Sequence, residues 1–301
     1  MSTEAIPKQY VYDNGRPFSD PLHEDIQVWM ERIAIGKPVI VIVVGDQGEG
    51  KTTFAVHIAD EANKYVIDTQ NKKIIKRLDY RPIDFERQLA LGGKEFRQKL
   101  DRAFVNKDHV VIYDEAGDYT NIGFATKFNR TMNQVFNMNR AFSSLIIVCL
   151  PELDELSKKI LRSTRGCFRV LNRQKGYSNF EAYDYSSTRY LVHFMKDRVI
   201  EETAYQTQTP EYRGHFKNLP PKRALLLDAY SMSGKREIFH EQEIKSEGLH
   251  STDEIAGLCA RSKRWVQGKI SENNFVHAKV FKSRKYYTQA VLDTLLDEVK
   301  E

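Results

Sequence analysis

The chain has 301 residues, 41% hydrophobic and 29% charged, with a formal net charge of +5 and a mean hydropathy of -0.54. This composition excludes collagenous, low-complexity and disordered classes and leaves room for two or three domains. The longest apolar runs, Val39 to Val44 and Leu145 to Leu150, fall far short of the roughly 20 residues that cross a bilayer, so no membrane insertion is expected. The first residues lack a basic-then-apolar leader, and Cys149, Cys167 and Cys259 follow no metal-ligand spacing. Both features point to a reducing cytoplasm.

Ser19-Asp20-Pro21 opens a helix carrying Ile26, Trp29, Met30 and Ile33 on one face. The continuous β-branched run Val39 to Val44 then reads as a parallel strand covered on both faces. Gly45 ends it, and the next helix places Phe54, Ala55, Ile58 and Ala62 on one side. A charged helix around Lys94 to Phe104 precedes a second buried strand, Val110 to Tyr113. A helix with Phe128, Met132, Val135 and Phe136 leads to a third strand, Leu145 to Leu150, which Pro151 stops. After a helix with Leu153, Leu156, Ile160 and Leu161, the texture turns aromatic. Cys167 to Leu171, Phe180 to Tyr185 and Arg189 to Met195 read as antiparallel strands extending the sheet. A short helix, Arg223 to Tyr230, and a charged connector, Gly234 to Gly248, follow. Ser251-Thr252-Asp253-Glu254 is a capping box, Ser262 caps a second helix through Gly268, Phe275 to Tyr287 supplies two short strands, and Val291, Leu295 and Leu296 mark a final amphipathic helix.

Gly45-Asp46-Gln47-Gly48-Glu49-Gly50-Lys51-Thr52 matches GxxxxGK[ST] between that strand and that helix, with Thr53 next in line. Such a loop needs glycines because its backbone N–H groups must curl toward a β-phosphate where side chains would obstruct the approach. Lys51 is then expected to neutralise the β- and γ-phosphates of ATP, and the Thr52 hydroxyl to take a place on Mg2+. Asp114-Glu115 ends the second buried strand. Asp114 is expected to hold Mg2+ and Glu115 to polarise the attacking water, which favours hydrolysis over transfer to a small acceptor. Positive charge at the γ-phosphate falls to Arg140, Arg162 or Arg165, with a solvated surface role left open for each.

Gly45 to Thr52, Asp114-Glu115, Arg140 and the segment Leu145 to Ile160 resemble the FtsK/HerA group of P-loop motor ATPases, nearest in flavour to the Zot-like ATPases of mobile elements. The resemblance spans about Pro38 to Met195 and implies a DNA-pumping or packaging motor, often assembled as a ring. The AAA+ family is the rival: the third strand, Pro151, the helix after it and Arg165 look like its sensor and arginine-finger region, and its replication initiators end in a winged helix. A helical lid after Arg165 would favour AAA+, whereas strands there favour FtsK/HerA.

Between Arg261 and Lys285 lie eight basic residues and one acid, Glu272. Thr252 to Ile270 resembles the helix-turn-helix of winged, excisionase-like DNA-binding domains. That resemblance implies Lys263, Arg264 and Gln267 toward the major groove and Lys282, Arg284 and Lys285 on the wing near phosphates, with Trp265 and Val266 in the core. A basic protein-docking domain stays open as the alternative. The expected fold is therefore α/β: a RecA-like P-loop NTPase core with a mainly parallel sheet and added antiparallel strands, plus a small winged helix-turn-helix domain. Its expected parts are a leading segment 1–37, an ATPase core 38–200, a connector 201–248 and a DNA-binding domain 249–301. ATP and Mg2+ are the expected cofactors; duplex DNA and further copies of the chain, arranged as a ring, are the expected partners. A nucleotide-dependent DNA-binding switch or regulator is the second class of reading.

Overall fold

The computed structural model describes residues 8–9, 20–68, 70–77, 82–106, 108–114, 143–151, 153, 164–174, 176–196, 201–281 and 284–300. Two compact units divide the chain, Met1–Ser231 and Met232–Glu301. The first holds an eight-stranded sheet ordered β1-β10-β9-β8-β2-β7-β6-β5. In chain order these are β1 (Lys8–Gln9), β2 (Val39–Val44), β5 (Leu89–Ala90), β6 (Val110–Asp114), β7 (Leu145–Leu150), β8 (Thr164–Gln174), β9 (Tyr177–Tyr183) and β10 (Tyr212–Lys217). Five strands run parallel, with β2 between β7 and β8 and with β7 between β2 and β6. Strand β9 joins antiparallel beyond β8, as the aromatic texture predicts, and β10, which falls in the expected connector and was not foreseen as a strand, joins β9 antiparallel.

All six residues of β2 are buried because both faces are covered. Val39, Val41 and Val43 enter one core layer with α1 (Asp20–Ala34) and α2 (Lys51–Ala62), where Trp29, Met30, Phe54 and Ile58 meet them. Ile40, Ile42 and Val44 enter the other, with Phe96 and Leu100 of α4 (Gly93–Asn106) and Leu191 and Val192 of α5 (Tyr185–Lys196).

Arg189 to Met195, expected as a strand, lies in α5. Thr188, Leu191 and Val192 are buried at helical spacing while Arg189 and Tyr190 are exposed, and Asp184 accepts a hydrogen bond from the Ser187 N–H at 2.7 Å to start the helix. Tyr190 and Phe194 stack on each other, so the aromatics that suggested a strand are neighbours along a helix face. After the short α6 (Glu201–Gln206) and β10, the expected short helix and charged connector form one helix, α7 (Pro221–Ser246). Its Glu, Lys, Arg and Gln residues propagate helix well, and Gly234 costs only about 1 kcal/mol. Sequence periodicity also left out a two-stranded hairpin, β3 (Tyr65–Asp68) with β4 (Lys73–Lys76), and the one-turn α3 (Phe85–Gln88). The helices expected around Phe128–Phe136 and Leu153–Leu161 lie outside the described residues, apart from Leu153, which is buried.

The second unit carries α8 (Thr252–Leu258), α9 (Lys263–Glu272) and α10 (Gln289–Lys300) with a three-stranded antiparallel sheet, ordered β11 (His250–Ser251), β13 (Arg284–Tyr287), β12 (Lys279–Phe281). The capping box forms: the Ser251 hydroxyl accepts from the Glu254 N–H while the Glu254 carboxylate accepts from the Ser251 N–H at 2.8 Å. Ser262 caps α9, and Ala260 turns the chain between α8 and α9 with a left-handed φ of 49°. Ile255, Cys259, Val266, Ile270, Tyr287, Val291 and Leu295 form its core, with Trp265 packed against them half-buried. Among the described residues no helix is long and apolar enough to cross a membrane.

Candidate functional site

Strand β2 delivers the chain to the phosphate loop at its carboxyl end. Gly45, Gly48 and Gly50 there take φ of 146°, 90° and 100°, conformations that side chains resist. At Gly45 space adds to the constraint, because a Cβ would stand 2.6 Å from the Val170 carbonyl oxygen of β8 and 2.9 Å from a Glu49 carboxylate oxygen. That carboxylate accepts from the Asp46 N–H at 3.0 Å and closes the loop on itself. Gly45→Ala is therefore expected to destabilise the protein by about 1–3 kcal/mol and to lose nucleotide affinity. Thermal denaturation with titration of a fluorescent ATP analogue checks both; a variant with wild-type melting and binding would show that the loop tolerates a side chain there.

Lys51 opens α2, and its ammonium donates to the carbonyls of Gly45 at 2.5 Å and Asp46 at 2.8 Å. The Thr52 hydroxyl donates to Asp114 Oδ2 at 2.7 Å. Asp114 is buried at the carboxyl end of β6, so one hydroxyl and one carboxylate from distant segments converge beside the loop. Gln47 and Asp46 are exposed on the loop and Thr53 is half-buried behind it.

The loop is also propped from β9 and β10. Ser178 donates its hydroxyl to the Glu49 carbonyl at 3.1 Å, and Phe216 lies against Gly50. On α2, Phe54 packs between Phe180 and Phe216, each ring 4.7 Å away. His57 Nε2–H donates to the Lys217 carbonyl at 2.7 Å; burial lowers its pKa to about 4, so the ring is neutral at neutral pH. Arg223 of α7 binds Asp60 at 2.6 Å. None of these supports carries a local sequence signal, since each partner lies far along the chain.

The residues fit a nucleotide. Amides around three left-handed glycines and a helix N-terminus offer an anion cradle, Lys51 holds the charge over it, and Thr52 and Asp114 are the oxygens within reach of a divalent cation. Glu115, Arg140 and Arg162 lie outside the described residues. Arg165 is the bulged residue of β8: Thr164 pairs with Ile40 and Gly166 with Val41. The loop follows Val44, which pairs with Arg169, so Arg165 sits about 13 Å along the strand from the loop end. Its guanidinium lies over the Tyr185 ring at 5.6 Å, and it does not join Lys51 within the chain.

In the second unit, Lys263 and Gln267 of α9 and Arg284 and Lys285 of β13 line one open cleft of about 640 Å³, with Asp253, Asn274 and His277. Lys263 pairs with Asp253 at 2.8 Å, both about half exposed. Arg264 is exposed and lies off the cleft, and Lys282 lies outside the described residues.

Residues 41–173 match the family model described as AAA, ATPase family associated with various cellular activities. No curated protein matches the chain in sequence. Among solved structures, the chain is similar to the N-terminal domain of zonular occludens toxin from Neisseria meningitidis, at 16% identity over 49% of this chain and 84% of that one, with a TM-score of 0.31. It is also similar to the FIGL-1 AAA domain in complex with ADP, at 13% identity over 72% and 86%, with a TM-score of 0.33. The family match begins inside β2 and ends inside β8, spanning the phosphate loop, α2 and Asp114, and with the geometry of that loop it makes this part of the chain a P-loop ATPase domain.

Proposed function

We propose that the chain couples ATP hydrolysis to the handling of duplex DNA, as a motor for translocation, packaging or transfer in a virus or other mobile element, akin to the FtsK/HerA group. On this reading the second unit is a winged helix-turn-helix that recruits the protein to DNA. The observation that carries the reading is the cleft, because cations from two different elements converge on one concavity. Lys263 and Gln267, which line the cleft, and Arg264, which lies off it on the same helix, are assigned to base edges, and Lys282, Arg284 and Lys285 to phosphates. The exposed Lys263–Asp253 pair is weak enough to yield to a base edge in the groove.

In the ATPase domain Lys51 meets the β- and γ-phosphates, Thr52 and Asp114 hold Mg2+, and Glu115 takes a proton from the attacking water. Mg2+ held there would supply positive charge against the charge that develops on the phosphates. One of Arg140, Arg162 and Arg165 supplies positive charge to the γ-phosphate of a neighbouring copy in a cytoplasmic ring; for Arg165, its distance from its own loop favours action in trans.

The test is binding of a fluorescein-labelled duplex across a salt series. Lys263→Ala, Arg284→Ala and Lys285→Ala together are expected to lower the slope of log affinity against log salt by about two, since the phosphate contacts of Arg284 and Lys285 each contribute about 0.9. A wild-type protein without salt-dependent affinity for any duplex would assign the basic cleft to a protein partner. The AAA match favours a second reading, a replication initiator or nucleotide-dependent switch. Under that reading ATP changes DNA affinity at a preferred sequence, while duplex DNA leaves the steady-state hydrolysis rate unchanged.

A further inference from the structure

The β3–β4 hairpin follows α2 within three residues, so the chain passes from the phosphate loop through one helix into a two-stranded ribbon. One face is anchored: Tyr65, Ile67 and Ile74 pack on the core layer that contains α1 and α2. The opposite face carries Lys73 and Ile75, while Lys76, paired with Tyr65, stands on the anchored side, Lys72 lies in the turn and Arg77 just beyond the strand. All four cations are exposed, and none forms a salt bridge among the described residues. Asp68 stands across from Lys73, but its carboxylate is taken up by the turn, accepting from the Gln70 and Asn71 N–H groups and from Asn71 Nδ2 at 2.8 Å. These bonds tie Gln70 and Asn71 to Asp68, and Lys72 follows them with a left-handed φ of 53°, a conformation uncommon outside glycine, asparagine and aspartate. Between Lys73 and Lys76, Ile75 is 55% exposed. One or two lysines would suffice to keep a ribbon edge from pairing with other chains, and an exposed isoleucine among them works against that purpose.

Four exposed cations without salt bridges on an anchored ribbon match the regular negative charge of a nucleic-acid backbone, and a two-stranded ribbon fits a major groove about 12 Å wide. We infer that the β3–β4 ribbon is a second duplex-DNA contact, on the ATPase unit itself and separate from the cleft of the second unit. The inference rests on the DNA-handling reading.

The test uses the full chain and a fluorescein-labelled duplex of mixed sequence, with anisotropy followed across a potassium chloride series. Lys72→Gln, Lys73→Gln, Lys76→Gln and Arg77→Gln combined are expected to lower the log–log salt slope by about two to four. Lys72→Arg, Lys73→Arg and Lys76→Arg combined should keep the wild-type slope, which separates lost charge from a disturbed hairpin. An unchanged slope and affinity in the glutamine variant, or an equal loss in the arginine variant, overturns the inference. If wild-type protein binds the duplex and only the Lys263, Arg284 and Lys285 substitutions lower the slope, the DNA reading stands and the ribbon contact falls. If wild-type protein binds no duplex, both fall.

Discussion

Lys51→Ala is expected to cut ATP turnover by at least about 10²- to 10³-fold, the scale of losing one positioned group that stabilises developing charge. The lysine is the first residue of α2, and its ammonium already lies over the loop, bound to the Gly45 and Asp46 carbonyls. Arrival of a polyphosphate would exchange those two neutral acceptors for charged oxygens, which make hydrogen bonds roughly twice as strong. Removing the side chain leaves two loop carbonyls open to water, a loss of about 1 kcal/mol per hydrogen bond, so the fold should persist. Phosphate release and thermal melting of the purified variant decide the matter. Undiminished turnover with an unchanged melting curve would remove Lys51 from the chemistry.

The second large effect separates the two acids at the end of β6. Asp114→Ala deletes the buried carboxylate that receives the Thr52 hydroxyl at 2.7 Å, so it should weaken magnesium-dependent nucleotide binding and slow turnover together. Glu115→Gln keeps Asp114 and preserves hydrogen bonding, but an amide cannot accept a proton from water. It should bind nucleotide with nearly wild-type affinity while turnover falls by about 10²- to 10⁴-fold, the range of a lost general base. Titrating a fluorescent ATP analogue with and without Mg2+, beside a steady-state phosphate assay, reads the two effects separately. Equal loss of nucleotide affinity in both variants would mean that the roles of the acids are reversed or shared.

The phosphate loop was legible in the sequence because its determinants are local. A continuous β-branched run that ends in glycine forces a turn, three glycines within six residues permit left-handed backbone, and the apolar spacing from Phe54 onward makes the next segment a helix. The capping box at Ser251 and the serine cap of α9 were legible for the same reason, since cap and capped group lie within one turn. Helix or strand was less legible where aromatic residues are dense. Arg189 to Met195 carries residues that suit a pleated surface, yet its burial follows helical spacing, because only the surrounding layers decide which side chains face inward.

The tertiary structure alone brought Thr52 onto Asp114 across 62 residues of chain and set β7 between the loop strand and the strand that carries Asp114. It alone turned Ser178, Phe216 and the Lys217 carbonyl into supports for the phosphate loop and its helix. It also gathered Lys263, Gln267, Arg284 and Lys285 around one cleft and left the β3–β4 cations exposed on an anchored ribbon. Periodicity and capping act over one or two turns of chain, whereas these contacts join segments that meet only after the sheet has chosen its strand order, a choice made by burying both faces of β2 and β7 at once.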